Sequence, residues 1–223
     1  MISFSGPGGA FPDATDASTP GVFTSDIMVA DPRLICSASF QPADCVGPNA
    51  NNVVVTISGL QHPWVGDVIA TLTNVTNSTS GDLFNRVGRT TSDPNDVGDG
   101  GMFGDNLSSY SFSSRSSSFS GDLWTVASGL GVADSVPSGN YWTSTAGSGN
   151  STSFLMAYNG LPAAGDWRLT LSDNFADGDG GGSFISWTMS FNVTDVPEPS
   201  LGVPVGVVVV GLVLVGRVRS TIP

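Results

Sequence analysis

Two segments near the end of the chain alternate apolar and polar residues with a period of two. In the first, Trp167, Leu169 and Leu171 are each followed by a polar or charged residue. In the second, the apolar positions are Ile185, Trp187, Met189, Phe191 and Val193. A period of two is typical of a β-strand that buries one face and exposes the other. Each strand therefore needs a second layer of structure to cover its apolar face.

Short runs rich in β-branched and aromatic residues recur along the rest of the chain, separated by Gly, Asp and Asn. The predicted strands are Asp26–Val29, Val53–Ile57, Asp67–Leu72, Ser108–Phe112, Leu123–Ala127, Ser153–Tyr158, Asp166–Ser172 and Phe184–Val193. The 29 glycines, 14 prolines, single Glu and absence of Lys favour turns over helices. We predict an all-β domain over residues 1–195, an antiparallel β-sandwich with Greek-key or jelly-roll wiring.

The charge of the chain limits its partners. The net charge is −12, and residues 1–195 contain 5 Arg against 18 Asp. Nucleic acid is an unsuitable partner because phosphate backbones require a basic surface. An acidic surface without Lys suits solubility or divalent cations.

The C-terminal segment predicts where the protein resides. Residues 196–223 begin with the motif Val196, Pro197, Glu198, Pro199, and an apolar run then extends from Leu201 to Gly216, followed by Arg217 and Arg219. A helix over residues 201–216 would span about 24 Å, slightly less than the ~30 Å hydrocarbon core. Arginines beyond the run favour a cytoplasmic C-terminus, which places residues 1–195 outside. We predict a single transmembrane helix here.

This order of Pro-Glu-Pro motif, apolar helix and basic end resembles the PEP-CTERM sorting signal of Gram-negative bacteria that make exopolysaccharide. The resemblance implies recognition by an exosortase and a location in the cell envelope, either membrane-anchored or released after processing. Export requires a leader, yet the start Met1–Gly6 has neither a basic nor an apolar segment. We therefore expect this start to be internal to a longer precursor.

The two cysteines, Cys36 and Cys45, have neither CxxC nor zinc-site spacing. A local disulfide is the preferred interpretation, and two free thiols are the alternative.

Several motifs together resemble the P domain, or Homo B domain, of proprotein convertases. They are Ile57–Val68 (ISGLQHPWVGDV), Gly81–Gly88 (GDLFNRVG), Ala164–Asp173 (AGDWRLTLSD) and Gly182–Phe191 (GSFISWTMSF), with an N-terminal edge around Phe11–Asp13 and Ser25–Val29. The matches extend over nearly all of residues 10–193. The resemblance implies a β-sandwich that usually follows a subtilisin-like protease domain and supports its folding and stability.

Three functions follow from these patterns. The first is a non-catalytic surface module with a stabilising, adhesive or assembly role. The second is the C-terminal fragment of a secreted subtilisin-like protease, which would require an upstream protease domain. The third is a carbohydrate-binding module facing exopolysaccharide, for which an exposed aromatic such as Trp142 would be the feature to examine.

Catalysis by this chain itself has little support in the sequence. His62 is its only histidine and therefore the only candidate base of a serine triad. No serine lies in a GxSxG or Gly-Thr-Ser context. We interpret His62 as a hydrogen-bonded structural residue and predict no enzymatic activity.

Calcium is the favoured cofactor. Asp173, Asp177 and Asp179 occupy one loop with Gly178 and Gly180, and such a loop supplies the hard oxygens that Ca²⁺ prefers. Asp67 is a further candidate ligand, because its Gly-Asp turn belongs to the other well-matched motif and both turns could lie at one end of the sandwich. A second acidic cluster comprises Asp93, Asp96 and Asp99. The alternative is that these Asp and Gly residues only form turns.

Overall fold

The structure is a computed structural model, and it describes residues within the unit Met1–Val193. The described residues are 1–16, 18–31, 53–91, 98, 101–104, 107–113, 121–147, 158, 161–176, 178 and 180–191.

These residues contain nine strands, one short helix and one 3-10 turn. The strands are β1 (Ile2–Phe11), β2 (Gly21–Val29), β3 (Val53–Ser58), β4 (Val68–Asn74), β5 (Thr79–Asn85), β6 (Ser109–Ser113), β7 (Gly139–Trp142), β8 (Gly165–Asp173) and β9 (Gly182–Phe191). The helix α1 is Leu123–Ala127, and the 3-10 turn Val65–Asp67 directly precedes β4. The all-β prediction is confirmed.

The strands form two sheets. One has the order β1-β9-β3-β6-β7 and the other β2-β8-β4-β5. All neighbours are antiparallel except β6 and β7, which run parallel. The purely antiparallel arrangement we predicted is therefore wrong at this one pair, because the chain passes through α1 before it returns to the sheet.

A single hydrophobic cluster contains the buried side chains of both sheets. Trp167 and Leu169 of β8 and Trp187 and Met189 of β9 are fully buried, as their alternation predicted. The Trp187 indole N–H donates to the Ser25 hydroxyl at 2.9 Å, which ties β9 to β2 of the other sheet. Burial of large side chains of this kind is the main source of stability in such a fold.

The segment Leu123–Ala127 is a helix, so its prediction as a strand is wrong. The Asp122 carboxylate accepts hydrogen bonds from the Trp124 N–H at 3.0 Å and from the Thr125 hydroxyl at 3.0 Å. An aspartate in this position caps the first turn of a helix. Leu123 and Ala127, four positions apart, are the two buried residues, which is helical spacing.

The prediction for β9 is also wrong at Ile185, which is 57% exposed. Phe184 is buried instead, and two residues separate it from the next buried residue, Trp187. The Ile185 side chain covers Gly59, where an added β-carbon would lie only 2.7 Å from the isoleucine. Ile185 therefore lies against Gly59, just after β3, while Phe184 packs against Phe23 of β2 with a centroid distance of 5.6 Å.

The remaining strand predictions overlap observed strands, with the exception of Ser153–Tyr158, which lies outside the described residues apart from Tyr158. Among the described residues, no helix has the length and apolar character needed to cross a bilayer. The predicted transmembrane helix at 201–216, the motif Val196–Pro199, and Cys36 and Cys45 lie outside the described part of the chain.

Candidate functional site

The two best-matched sequence motifs meet at one end of the four-stranded sheet. Strand β4 pairs with β8 in a register that places Val68 opposite Asp173. Beyond this last pair, the Asn174 backbone N–H donates to the Asp67 carbonyl at 2.9 Å. The Asn174 side-chain amide also donates to the Ser172 carbonyl at 3.0 Å. The turns that carry Asp67 and Asp173 therefore lie side by side.

His62 joins this region from the end of β3. Its Nε2 lies 3.0 Å from Asp173 Oδ2, so an Nε2–H donates to the carboxylate. Its Nδ1 lies 3.1 Å from the Trp64 backbone nitrogen and 2.8 Å from the Trp64 carbonyl oxygen. The Phe11 ring stacks on the imidazole with a centroid distance of 5.6 Å and an interplanar angle of 2°. His62 is only 3% exposed, and both of its ring nitrogens have protein partners.

Asp173 is held from both sides. Its second carboxylate oxygen, Oδ1, accepts the Phe175 backbone N–H at 3.1 Å. Asp173 is 1% exposed, and a carboxylate in such surroundings is tolerable only when its oxygens are hydrogen-bonded. The His62–Asp173 pair thus pins the segment after β3 to the end of β8.

A second buried pair lies beside the first and consists of Asp67 and Arg86. Arg86 Nη2 lies 3.6 Å from Asp67 Oδ1, and both side chains are at least nine-tenths buried. Arg86 Nε donates to the Gly66 carbonyl at 3.0 Å, and its Cζ lies 5.8 Å from the centroid of the Phe175 ring. Arg86 holds the Asp67 turn against the end of β5 through these contacts.

The backbone at Arg86 adopts a left-handed conformation, with φ = 38°. Non-glycine residues rarely adopt this conformation, which persists only where the surroundings fix it. Arg86 is not among the site residues predicted from the sequence, although it lies within the segment Gly81–Gly88 that resembles the P domain. That membership is the only sequence signal that points to it.

We call His62, Asp67, Arg86, Asp173 and Asn174 the polar cluster. A shallow cavity of about 260 Å³ adjoins it at His62. The described residues lining this cavity are Gln61, His62, Pro63, Met102, Phe103, Gly104, Gly181 and Ser183. His62 is the only histidine, acidic or basic residue of this set, and its nitrogens contact Asp173 and Trp64. Among the described residues, the arrangement holds turns together and presents no accessible base to this cavity.

The calcium prediction falls partly within the described residues. Asp173 is engaged by His62 and Phe175, and the Asp67 carboxylate lies next to the Arg86 guanidinium, which competes with any cation for the same oxygen. Within the described ranges, no three His, Cys, Asp or Glu side chains are grouped as metal ligands would be. Asp177, Asp179, Asp93, Asp96 and Asp99 lie outside those ranges, and calcium binding stays a prediction.

The fold and the polar cluster define an all-β domain of two sheets with a buried histidine–carboxylate contact at one end. The chain matches no protein-family model, and no significant match is found among curated proteins or solved structures.

Proposed function

We propose that this chain is a non-catalytic, extracytoplasmic module of the P-domain type, a β-sandwich sorted to the cell envelope by a PEP-CTERM tail. The module stabilises or attaches a partner at the cell boundary, and an upstream protease domain is the partner that the resemblance implies. An exosortase processes the tail in this proposal.

The observation that carries the proposal is the convergence of the motifs that resemble the P domain. Residues 62 and 173 are 111 positions apart in sequence, and their side chains are 3.0 Å apart in the fold. Arg86, from a third motif, contacts the turn formed by the first. Segments that resemble one family thus pack against one another as a structural unit, which supports a shared architecture.

The polar cluster also supports the non-catalytic part of the proposal. In a serine triad, one ring nitrogen of the histidine faces the nucleophilic serine and the other faces a carboxylate. The second nitrogen of His62 faces the backbone of Trp64 instead, and the ring is stacked against Phe11.

A fluorophosphonate serine-hydrolase probe tests this part directly. Incubation of the purified chain with the probe should give no labelled band, whereas subtilisin in a parallel reaction should be labelled. Labelling of the chain that disappears when one particular serine is replaced by alanine would overturn the non-catalytic assignment.

The location is tested by removing residues 196–223. In a host that contains an exosortase, the chain fused to a leader peptide should fractionate with the envelope or the medium and lose its tail. A matched variant, Glu198→Gln, keeps the apolar run and should block processing while leaving membrane association intact. Unchanged fractionation after deletion of residues 196–223 would contradict the sorting proposal.

A further inference from the structure

The two sheets differ in the charged residues that their strands carry. The strands of the five-stranded sheet contain no Asp, Glu, Lys, Arg or His. The strands of the four-stranded sheet carry Asp26, Asp82, Asp166, Arg168 and Asp173. In a protein of net charge −12, the uncharged sheet is a surface that a second acidic molecule can approach without meeting a like charge on it.

Hydroxyl groups cover much of the outer face of the five-stranded sheet. Residues that alternate with the buried side chains of these strands point outward and form rows across the sheet. The row through the middle is Ser5, Thr188, Thr56, Ser111 and Asn140. The adjoining rows add Ser3, Ser190, Ser186, Ser58 and Ser109. We call these residues the hydroxyl face.

The groups of the hydroxyl face both donate and accept hydrogen bonds. The hydroxyl oxygens of Thr56 and Ser111 lie 2.8 Å apart, and those of Ser5 and Thr188 lie 3.1 Å apart. Within each pair one hydroxyl donates to the other, so one hydrogen and several lone pairs remain for a partner. A surface of such groups is complementary to a second copy of itself, as an interface between identical subunits about a twofold axis requires.

Exposed apolar side chains adjoin one end of the hydroxyl face. Ile185 of β9 is 57% exposed, and Leu107, just before β6, is 89% exposed. Both border Gly59, because Ile185 covers this glycine and the Gly59 N–H donates to the carbonyl of Ser108 at 2.6 Å. Burial of these two side chains would supply hydrophobic stabilisation that the hydroxyl rows do not supply.

The dimensions of the hydroxyl face limit the strength of any contact it makes. Five strands about 4.8 Å apart and three rows about 6.8 Å apart cover roughly 24 by 20 Å. Two such faces would bury on the order of 1,000 Å², the lower limit for a specific interface, so the contact is expected to be weak. Small-molecule sites are concave pockets, whereas this surface is the broad face of a sheet, which a second sheet can cover.

We propose that two copies of this chain associate by packing their hydroxyl faces together about a twofold axis. The two sheets stack as the layers of a β-sandwich do, and the contact buries Ile185 and Leu107. The charged outer faces of the two four-stranded sheets lie away from the contact. This inference goes beyond the proposed accessory role and does not depend on the resemblance to P domains or on the sorting tail.

Sedimentation velocity of the full chain in a mild detergent tests the proposal. The wild type should pass from monomer to dimer as its concentration rises to about 1 mM. Because two chains of net charge −12 repel each other, raising NaCl from about 0.02 M to about 0.5 M should strengthen the dimer. A dimer that weakens with salt would overturn the proposal, and so would a chain that stays monomeric throughout.

A matched pair of substitutions tests the position of the contact. Thr56→Glu adds a carboxylate to the middle row and should weaken the dimer at least about tenfold, because like charges then lie within the contact. Thr170→Glu adds the same charge to the outer face of the other sheet, at a residue opposite Thr24 and Thr71, and should leave the affinity nearly unchanged. Equal weakening by both variants, or by neither, would place the contact elsewhere.

Should Thr56→Glu fail to fold by circular dichroism, Ser5→Glu and Thr24→Glu provide the same comparison at exposed positions of the edge strands β1 and β2. Ser5→Glu should weaken the dimer and Thr24→Glu should not. A wild-type chain that stays monomeric but binds a neutral glucan, with binding lost in Ser5→Glu, would assign the face to a saccharide and overturn the dimer.

Discussion

Two Asp–Arg pairs in this fold have the same chemistry and opposite surroundings. Asp26 and Arg168 lie opposite each other on β2 and β8, with two hydrogen bonds of 2.7 and 2.8 Å and side chains 55% and 42% exposed. Asp67 and Arg86 lie at 3.6 Å, and their side chains are 1% and 7% exposed. The pair with the better geometry is the one in water, where attraction is screened and worth little. Burial, more than the distance between the charged groups, should therefore determine how much each pair contributes to the free energy of unfolding.

The largest effect is expected for removal of the buried guanidinium. Arg86→Met keeps much of the length of the side chain and leaves the Asp67 carboxylate buried without the arginine, which should lower the free energy of unfolding by about 3–5 kcal/mol. Urea denaturation followed by tryptophan fluorescence measures the loss.

A double variant sharpens this prediction. Because an uncharged replacement of both partners removes the buried charge, Asp67→Leu combined with Arg86→Met should be less destabilised than Arg86→Met alone. If Arg86→Met lowers the free energy of unfolding no more than a surface substitution does, burial does not determine how much the Asp67–Arg86 pair contributes to stability.

Calcium is expected to have the next largest effect. A cation that binds only the folded chain stabilises it by about 2.7 kcal/mol at a hundredfold excess over its dissociation constant. Thermal unfolding in EDTA and in millimolar calcium measures this, and Asp177→Asn with Asp179→Asn should abolish the rise in Tm.

Asp67→Asn tests whether the calcium ion is also bound by the carboxylate of Asp67, which lies next to Arg86. A calcium-dependent rise in Tm that survives in this variant would remove Asp67 from the ligand set. An unchanged Tm in the wild type between EDTA and calcium would remove Asp67, Asp173, Asp177 and Asp179 from the ligand set and would leave Asp67 and Asp173 in their contacts with Arg86 and His62.

The smallest effect is expected for the exposed pair. The hydrogen bonds from Arg168 hold the pKa of Asp26 below its usual value, so the carboxylate is favoured in the folded state. The stability it contributes is present above the unfolded pKa and is lost as the pH falls through the lower folded pKa.

Asp26→Asn should therefore change Tm only slightly at pH 7 and at low ionic strength. The difference from wild type should vanish at about 1 M NaCl or in strong acid. A loss at neutral pH as large as that of Arg86→Met would contradict the comparison.

Much of the fold is predictable from alternation, and the exceptions have local causes. Strand β8 is predictable because Trp167, Leu169 and Leu171 supply a clear period. Strand β1 is not, because Gly6 occupies an inward position directly against Trp187, where a β-carbon would collide with the indole nitrogen. Because Trp187 leaves room only for glycine at position 6, the sequence of β1 has no apolar side chain there to mark the alternation.

The polar cluster is predictable only in part. The resemblance brings the turns of Asp67 and Asp173 together, but no pattern within either segment indicates that His62 contacts Asp173. A contact between residues that are distant in sequence depends on sheet register, which a local period does not determine. The helix at Leu123–Ala127 escapes prediction for a simpler reason, since five residues are too few to establish a helical period and the cap at Asp122 is its main signal.

The pairing of β1 with β9 affects how the chain acquires its structure. Ile2 lies opposite Phe191, and β3 also borders β9, so β9, the last strand among the described residues, is inserted between the two earlier strands β1 and β3. At about 5–20 residues per second, synthesis of the intervening chain takes on the order of ten seconds, during which β1 has no neighbour in its sheet. Closure by the final strand makes the contact order high and folding slow. A chain arrested before residue 182 would expose two unpaired edges, and its assembly must await the release of nearly the whole domain from the ribosome.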